Sequence, residues 1–334
     1  MNEGVVKKFH QIVSTAFLAI LPIMAFAQTA AAQSASQFPS KPVRLIVPFP
    51  AGGGADVIAR IIAEGLSDRL GQSVFIDNRG GANGNIGMES AATALADGYT
   101  MVIATSGTWA VNPTIYKASF DVVKDFAPIM QVTSSPGVLV VNPNLPVRSV
   151  GELIALAKAE PGKLDYGSAG MGSFGHICGV MFSLMSGTKM THIPYRGAGP
   201  ATSDAISGQI PLLFNDALAS LPYLQSGLLR GLAVTSIKRM SLFPDLPTLD
   251  EAGLKGFDSS SWTAMAVPAA TPKDIVAKLN REMTAVLSMP RTQEKLAAAG
   301  ATIVGGTPEQ FAAFLNEEIV KFQRIVREGQ ITAQ

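Results

Sequence analysis

Val43-Arg44-Leu45-Ile46-Val47, then Pro48-Phe49-Pro50-Ala51-Gly52-Gly53-Gly54-Ala55, then the fifteen residues from Asp56 to Leu70 follow one another directly, and together they decide the fold. The first segment is a short apolar run of strand length. The last brings Val57, Ile58, Ile61, Ile62, Leu66 and Leu70 onto one helical face. Between them lie prolines and glycines, so the unit reads strand, turn, helix. Outward from it, Val74 to Ile76 is a second strand, glycine-rich Arg79 to Gly87 turns into a helix toward Ala94, and Thr100 to Ala104 is a third strand. Short strands alternating with helices predict a parallel sheet covered on both faces, an α/β class.

The alternation restarts with a helix from Ser149 to Glu160, a strand Leu164 to Gly167 and a helix Ser173 to Ser186. A strand Met190 to Pro194, a helix Gly199 to Ile206 and a strand Pro211 to Phe214 follow. This predicts a second lobe. Gln131 to Val141 reads as the outward crossover strand and Asp258 to Val267 as the return. The expected division is a first lobe of 38–136 plus 262–334 and a second of 137–261. Two helices are expected in the tail. Thr271-Pro272 and Thr307-Pro308 each place an N-cap before a proline at the first helical position, and Gln310 completes a capping box with Thr307.

A chain of 334 residues with 47% hydrophobic and 15% charged side chains can bury a substantial core, which excludes disorder. Its 26 basic and 25 acidic residues are not clustered, so nothing suggests nucleic acid or an acidic membrane as partner. Lys7 and Lys8 precede an apolar stretch from Ile12 to Ala27 that ends in small residues. This reads as a cleaved export signal over residues 1–32, too short to span a bilayer, and implies a periplasmic protein. The single cysteine, Cys178, rules out an internal disulfide and a Cys-based structural zinc site.

The chemistry lies in the glycine turns. Pro48 to Asp56 carries no Lys or Arg and sits where free helix N–H groups face a ligand, which suits an anion. A dinucleotide site is the rival, because Asp77 ends the next strand, but Val57 occupies the third glycine position of that fingerprint. Gly170-Met171-Gly172-Ser173-Phe174-Gly175 is a full GxGxxG, yet no acidic residue follows until Asp204. No GxSxG is present. His176 and His192 have no local carboxylate for a metal, and His176 falls in a first helical turn where it caps or packs. Cys178, Met181, Met185 and Met190 read as core. No cofactor and no metal are expected.

Several ordered blocks carry a resemblance. PFPAGGGADVIAR (48–60), NRGGANGNIG (78–87), DGYTM (97–101), YGSAGMGSFGH (166–176), HIPYRGAGPA (192–201), FND (214–216), LRGLAVTSIKR (229–239) and FPDLPTLDEAG (243–253) resemble the substrate-binding proteins of tripartite tricarboxylate transporters, the Bug-type periplasmic receptors. The resemblance implies a type II periplasmic binding fold, two α/β lobes joined by two crossover strands. The lobes would close over a small carboxylate and deliver it to membrane transporter subunits of the tripartite tricarboxylate type. It also implies a carboxylate held by backbone N–H groups and hydroxyls, often through water. The matching positions are Phe49, Gly53, Gly54, Ala55, Thr105, Ser106, Gly107, Ser168, Ala169, Gly170, Ser173, Asn215 and Asp216. Where Ala55 stands many members have Ser or Thr, and where this chain reads Phe214-Asn215-Asp216 many read Phe-Asp-Asn. A ligand ammonium would then lose its nearest counter-charge, so a carboxylate without an amino group is expected. Tyr195 and Arg196 fall near the cleft mouth, hinges near 134–137 and 258–262, and Trp109 and Trp262 where they could report closure. The chain is expected to be a monomeric receptor; the alternative is an exported enzyme acting on a small carboxylic acid.

Overall fold

Residues 38–331 are described by a computed structural model, and the expected export signal lies outside them. Val43–Val47 forms β1, and α1 spans Gly54–Leu70, two residues earlier than its apolar pattern predicts because Gly53 takes the extended N-cap conformation. The buried stripe of α1 runs through Ala55, Ala59, Ile62 and Leu66. Val57 lies off that stripe and is 39% exposed, contrary to its expected place in the core. β2 (Val74–Asn78), α2 (Asn85–Ala92) and β3 (Thr100–Thr105) complete a parallel set in the order β2-β1-β3. A π-helical turn over Gly107–Val111 leads into α3 (Asn112–Ile115).

β4 (Phe126–Val141) is one continuous strand and the spine of the molecule. After it come α4 (Val150–Ala159), β5 (Asp165–Ser168), α5 (Phe174–Ser186), β6 (Thr191–Pro194), α6 (Ala198–Ser207) and β7 (Leu212–Asp216). Then follow α7 (Ala217–Gln225), β8 (Arg230–Val234), β9 (Ser260–Pro268), α8 (Lys273–Leu287), α9 (Pro290–Ala298), β10 (Thr302–Gly305) and α10 (Pro308–Glu328).

The strand order is β2-β1-β3-β9-β4-β7-β5-β6, with β8 and β10 also pairing β4. The first part of β4 pairs antiparallel with β9, up to Pro136 opposite Ser260. Its last five residues pair antiparallel with β7, from Gly137 opposite Asp216 to Val141 opposite Leu212. β9 is antiparallel to β3, so β3 and β4 point the same way, toward the second sheet; β7 and its parallel neighbour β5 point back. The carboxyl ends of both parallel sets therefore face one another, and open α/β sheets bind ligands at that edge.

The second crossing runs from Phe257 to the start of β9. Thr235, fully buried, ties it to the first: its N–H donates to Gly137 O and its hydroxyl to Ser259 O, while Gly137 N–H donates to Thr235 Oγ1 and Ser259 N–H to Thr235 O. Gly137 has no room for a side chain, since a Cβ would lie 2.4 Å from the Phe174 ring.

The tail holds three helices and β10 rather than two helices. α9 has a proline in its first turn and buries only Thr292 and Leu296, too few for a visible apolar period. The capping box of Thr307 and Gln310 forms. Thr271 is not a cap: Pro272 occupies the N-cap position, and the Thr271 hydroxyl donates back to Pro268 O. Met181 is buried, whereas Met185 is 40% exposed on the outer side of α5 instead of in the core. α10 places Phe311 edge-on against Trp109, and its later residues Phe322, Ile325 and Val326 share one apolar cluster with Ile177, Cys178 and Phe182 of α5. The terminal helix thus packs on both sheets. No helix among the described residues is long and apolar enough to cross a membrane.

Candidate functional site

Four turns leave the facing strand ends. After β1, the N-terminus of α1 has no side-chain cap. Asp56, buried in its first turn, shapes the turn instead: Oδ2 accepts from Gly52 N–H at 2.9 Å and Arg60 Nε at 2.8 Å, and Oδ1 accepts from Asn78 Nδ2 at 2.9 Å. Asn78 Nδ2 also donates to Phe49 O. The Arg60 hydrogen bond, outweighing the cost of burial, holds the Asp56 carboxyl down at about 2. Phe49 and Ala55 pack against the core of the first sheet, whereas a Cβ built on Gly54 would meet nothing within 4 Å, and Gly53 faces only Pro50 O at 3.8 Å.

After β3, Thr105 pairs with Thr263 of β9, and Ser106 and Gly107 open the π-helical turn. Ser106 and Gly107 line a narrow gap, about 10 Å³, together with Gly172, Phe174 and Ile177 from the opposite side. A Cβ on Gly107 would lie 3.4 Å from Gly172 O, so the two glycine turns come close to one another there.

After β5, the turn 168–173 relies on Gly170 at φ 128° and Gly172 at φ 72°, left-handed values that other residues rarely take. Ser168 Oγ accepts from Gly170 N–H. Ser173 is the N-cap of α5, yet its hydroxyl caps nothing; Ser173 Oγ is buried and has no hydrogen-bond partner. After β7, Asp216 caps α7, with Oδ1 accepting from Leu218 and Ala219 N–H, and burial raises its carboxyl pKa. Asn215, also buried, donates through Nδ2 to Ser220 Oγ at 3.2 Å and Thr202 Oγ1 at 3.4 Å.

The turns after β5 and β7 border a cavity of about 150 Å³ lined by Ser168, Ala169, Ser173, Asn215 and Asp216, with Phe174, Gly175, Ala198 and Ser261 of β9. Among the described residues no lysine or arginine lines it. Five of the thirteen expected residues are brought together there, and Ser106 and Gly107 border the adjoining gap. Thr105 and Gly170 stand in the same turns without lining either space, and Phe49, Gly53, Gly54 and Ala55 lie at the same sheet edge outside both. Thr202 and Ser220, which fix Asn215, and Ser261 were not expected. Tyr195 donates its hydroxyl to Asp204 Oδ2, and Arg196 is exposed.

A larger cleft of about 520 Å³ lies elsewhere, between α7, β8 and the segment around Phe243. Its wall is mainly Leu221, Leu224, Leu229, Leu242 and Leu246, and none of the strand-end turns opens into it. Size alone does not make it the site, since the groups able to hold an anion converge on the smaller cavity. Cys178 is buried, and burial pushes its thiol up to about 12, so it is a core residue and not a nucleophile. Among the described residues no cluster of three potential metal ligands occurs.

The profile of the tripartite tricarboxylate transporter family receptor matches residues 58–331. Protein BugT of Bordetella pertussis is 39% identical over 317 residues, 94% of this chain and 97% of that protein. A solved R. palustris protein with adipate is 38% identical with a TM-score of 0.80, covering 89% of this chain and 99% of the other. The periplasmic binding protein BugD is 33% identical with a TM-score of 0.76, covering 89% and 100%. The family profile over most of the chain and these full-length matches show that it belongs to the tripartite tricarboxylate transporter receptor family, solute-binding proteins of the type II periplasmic fold and not enzymes.

Proposed function

We propose that this receptor captures a small carboxylate in the cavity at the turns after β5 and β7 and hands it to membrane components of a tripartite tricarboxylate transporter. The observation that carries this reading is Ser173: a buried hydroxyl without a partner among the described residues, at an uncapped helix N-terminus, on the wall of a cavity that no described lysine or arginine lines. Helix N–H groups bring about half a positive charge to such a wall. Each hydrogen bond to a charged acceptor contributes about 1.5–3 kcal/mol. The adipate found with the R. palustris relative supports the same class of ligand.

A thermal-shift screen over mono-, di- and tricarboxylic acids tests the reading, because a ligand at 100 times its dissociation constant adds about 2.7 kcal/mol of stability. At least one acid should raise the melting temperature of the parent. Ser173→Ala should weaken that acid about tenfold or more while leaving the unliganded melting temperature nearly unchanged. An absence of any shift across the screen would refute the proposal.

The receptor is further inferred to act as two lobes, 38–136 with 262–334 and 137–261, closing about 134–137 and 258–262. Supporting this, the two crossings meet at Thr235, and Ser106 and Gly107 of the first lobe face Gly172 and Phe174 of the second across a narrow gap. Small-angle scattering should show a smaller radius of gyration at ligand saturation; identical profiles would argue for a fixed cleft.

A further inference from the structure

Behind the wall of the cavity, His176 on α5 and His192 on β6 stack ring on ring, with centroids 3.9 Å apart and planes 17° from parallel. Each ring holds one end of the turn 168–173. Gly172 N–H donates to His176 Nδ1 over 3.0 Å, so the ring carries its proton on Nε2. At the other end, His192 Nε2 lies 2.6 Å from Ser168 Oγ. Ser168 Oγ in turn accepts from Gly170 N–H, so the hydrogen bond to His192 Nε2 fixes the start of the turn.

Tyr166 on β5 completes the support. Its ring lies 5.1 Å from that of His192, and its hydroxyl donates to His176 O. Burial keeps both imidazoles neutral, which is the state in which His176 Nδ1 can accept. Neither histidine lines the 150 Å³ cavity. Their far side opens instead on a separate space of about 230 Å³ closed by Met171, Pro194 and Gly329 to Ile331.

We propose that His176 and His192 are positioning residues for ligand binding, which lock the glycine turn so that Ser173 and the first N–H groups of α5 point at the ligand. The inference rests on the reading of that cavity as the carboxylate site. Its physical basis is the freedom of the turn: Gly170 and Gly172 supply no restraint of their own, and no other side chain among the described residues accepts from the Gly172 N–H. Removal of the acceptor leaves that N–H orphaned and the turn free to leave its left-handed conformation.

Calorimetric titration with adipate as the probe, and succinate as a second, separates positioning from mere packing. His176→Leu keeps the bulk and loses the acceptor; His176→Asn keeps an acceptor at the δ position. His192→Leu and His192→Gln form the same comparison for the hydrogen bond at Nε2. The Leu variants should bind about tenfold more weakly while still folded at 25 °C, and the Asn and Gln variants should lie within about threefold of the parent.

Folded Leu variants with parental affinity, or polar variants as weak as the Leu variants, would overturn the proposal. Amide exchange and imidazole nitrogen shifts of the parent test it without any ligand. Slow exchange at Gly172 and an Nε2–H tautomer at His176 are expected, and rapid exchange or the opposite tautomer would sink it even if a Leu variant failed to fold. If the parent binds neither acid but Gly172 is protected, the failure belongs to the ligand reading; an unprotected Gly172 in a parent that binds tightly would condemn the histidines alone.

Discussion

Between pH 7 and pH 5 the folded protein is expected to lose about 3 kcal/mol of stability, from its two described histidines alone. Burial pushes His176 down to about 3, with the neighbouring His192 ring adding to the shift, and burial pushes His192 down to about 4. In the unfolded chain both return to about 6.5. A base whose folded pKa is depressed gives stability that is complete above the unfolded value and is lost as pH falls toward the folded one. Full protonation of one unfolded histidine costs about 1.4 kcal/mol per pH unit in that window, and His192 is discounted because its ring is only partly shielded. Asp56, held near 2 largely by Arg60, acts only below the ordinary carboxylate range, and Asp216, raised by burial, acts in the opposite sense, so the loss on acidification comes from the imidazoles.

The melting temperature should fall by about 5 °C across that interval. His192→Gln should remove roughly half of the slope, since one of two titrating groups is gone. A melting temperature constant from pH 7 to pH 5 would mean that both rings titrate normally in the fold.

Much of this architecture is legible in the sequence, and its failures have physical reasons. The strand-turn-helix units announce themselves because parallel strands buried on both faces are continuous apolar runs, as in Val43–Val47 and Thr100–Thr105. α7 escapes notice because Pro222 sits inside it, and β10 because its four residues are half exposed and pair only with β4. β8 begins with Arg and Gly and shows no period of its own until β4 lies beside it.

For the site, the glycine turns are visible in the chain, and so is the first-turn position that lets His176 cap. What cannot be read is the direction of each polar group. That Ser173 has no partner, or that His192 stacks on a ring sixteen residues earlier, depends on the packing of β6 against β5. The orientation of Asn215 likewise depends on Thr202 and Ser220, which lie on two different helices.

That last arrangement makes Asn215→Asp the most damaging single change expected on the cavity wall. The Ser220 hydroxyl donates to Asp216 O and the Thr202 hydroxyl to Ala198 O, so both oxygens offer only lone pairs to residue 215. Asn215 Nδ2 supplies the hydrogens they require. A carboxylate in its place would face two acceptors in a buried site beside Asp216, and the variant should lose about 2–4 kcal/mol of stability at pH 7. Where it remains folded, its negative charge should weaken a bound carboxylate about tenfold or more at pH 7.

The same geometry bears on ligand choice. The Asn215 amide is committed to hydroxyls, and the Asp216 carboxyl caps α7 with its pKa raised by burial, so neither offers a ligand ammonium a free counter-charge. Calorimetric titration of succinate against aspartate, and of glutarate against glutamate, should therefore favour the acid without the amino group in each pair. Tighter binding of both amino acids would show that Asp216 turns toward the ligand, and an Asn215→Asp protein of parental stability and affinity would show that residue 215 does not shape the wall at all.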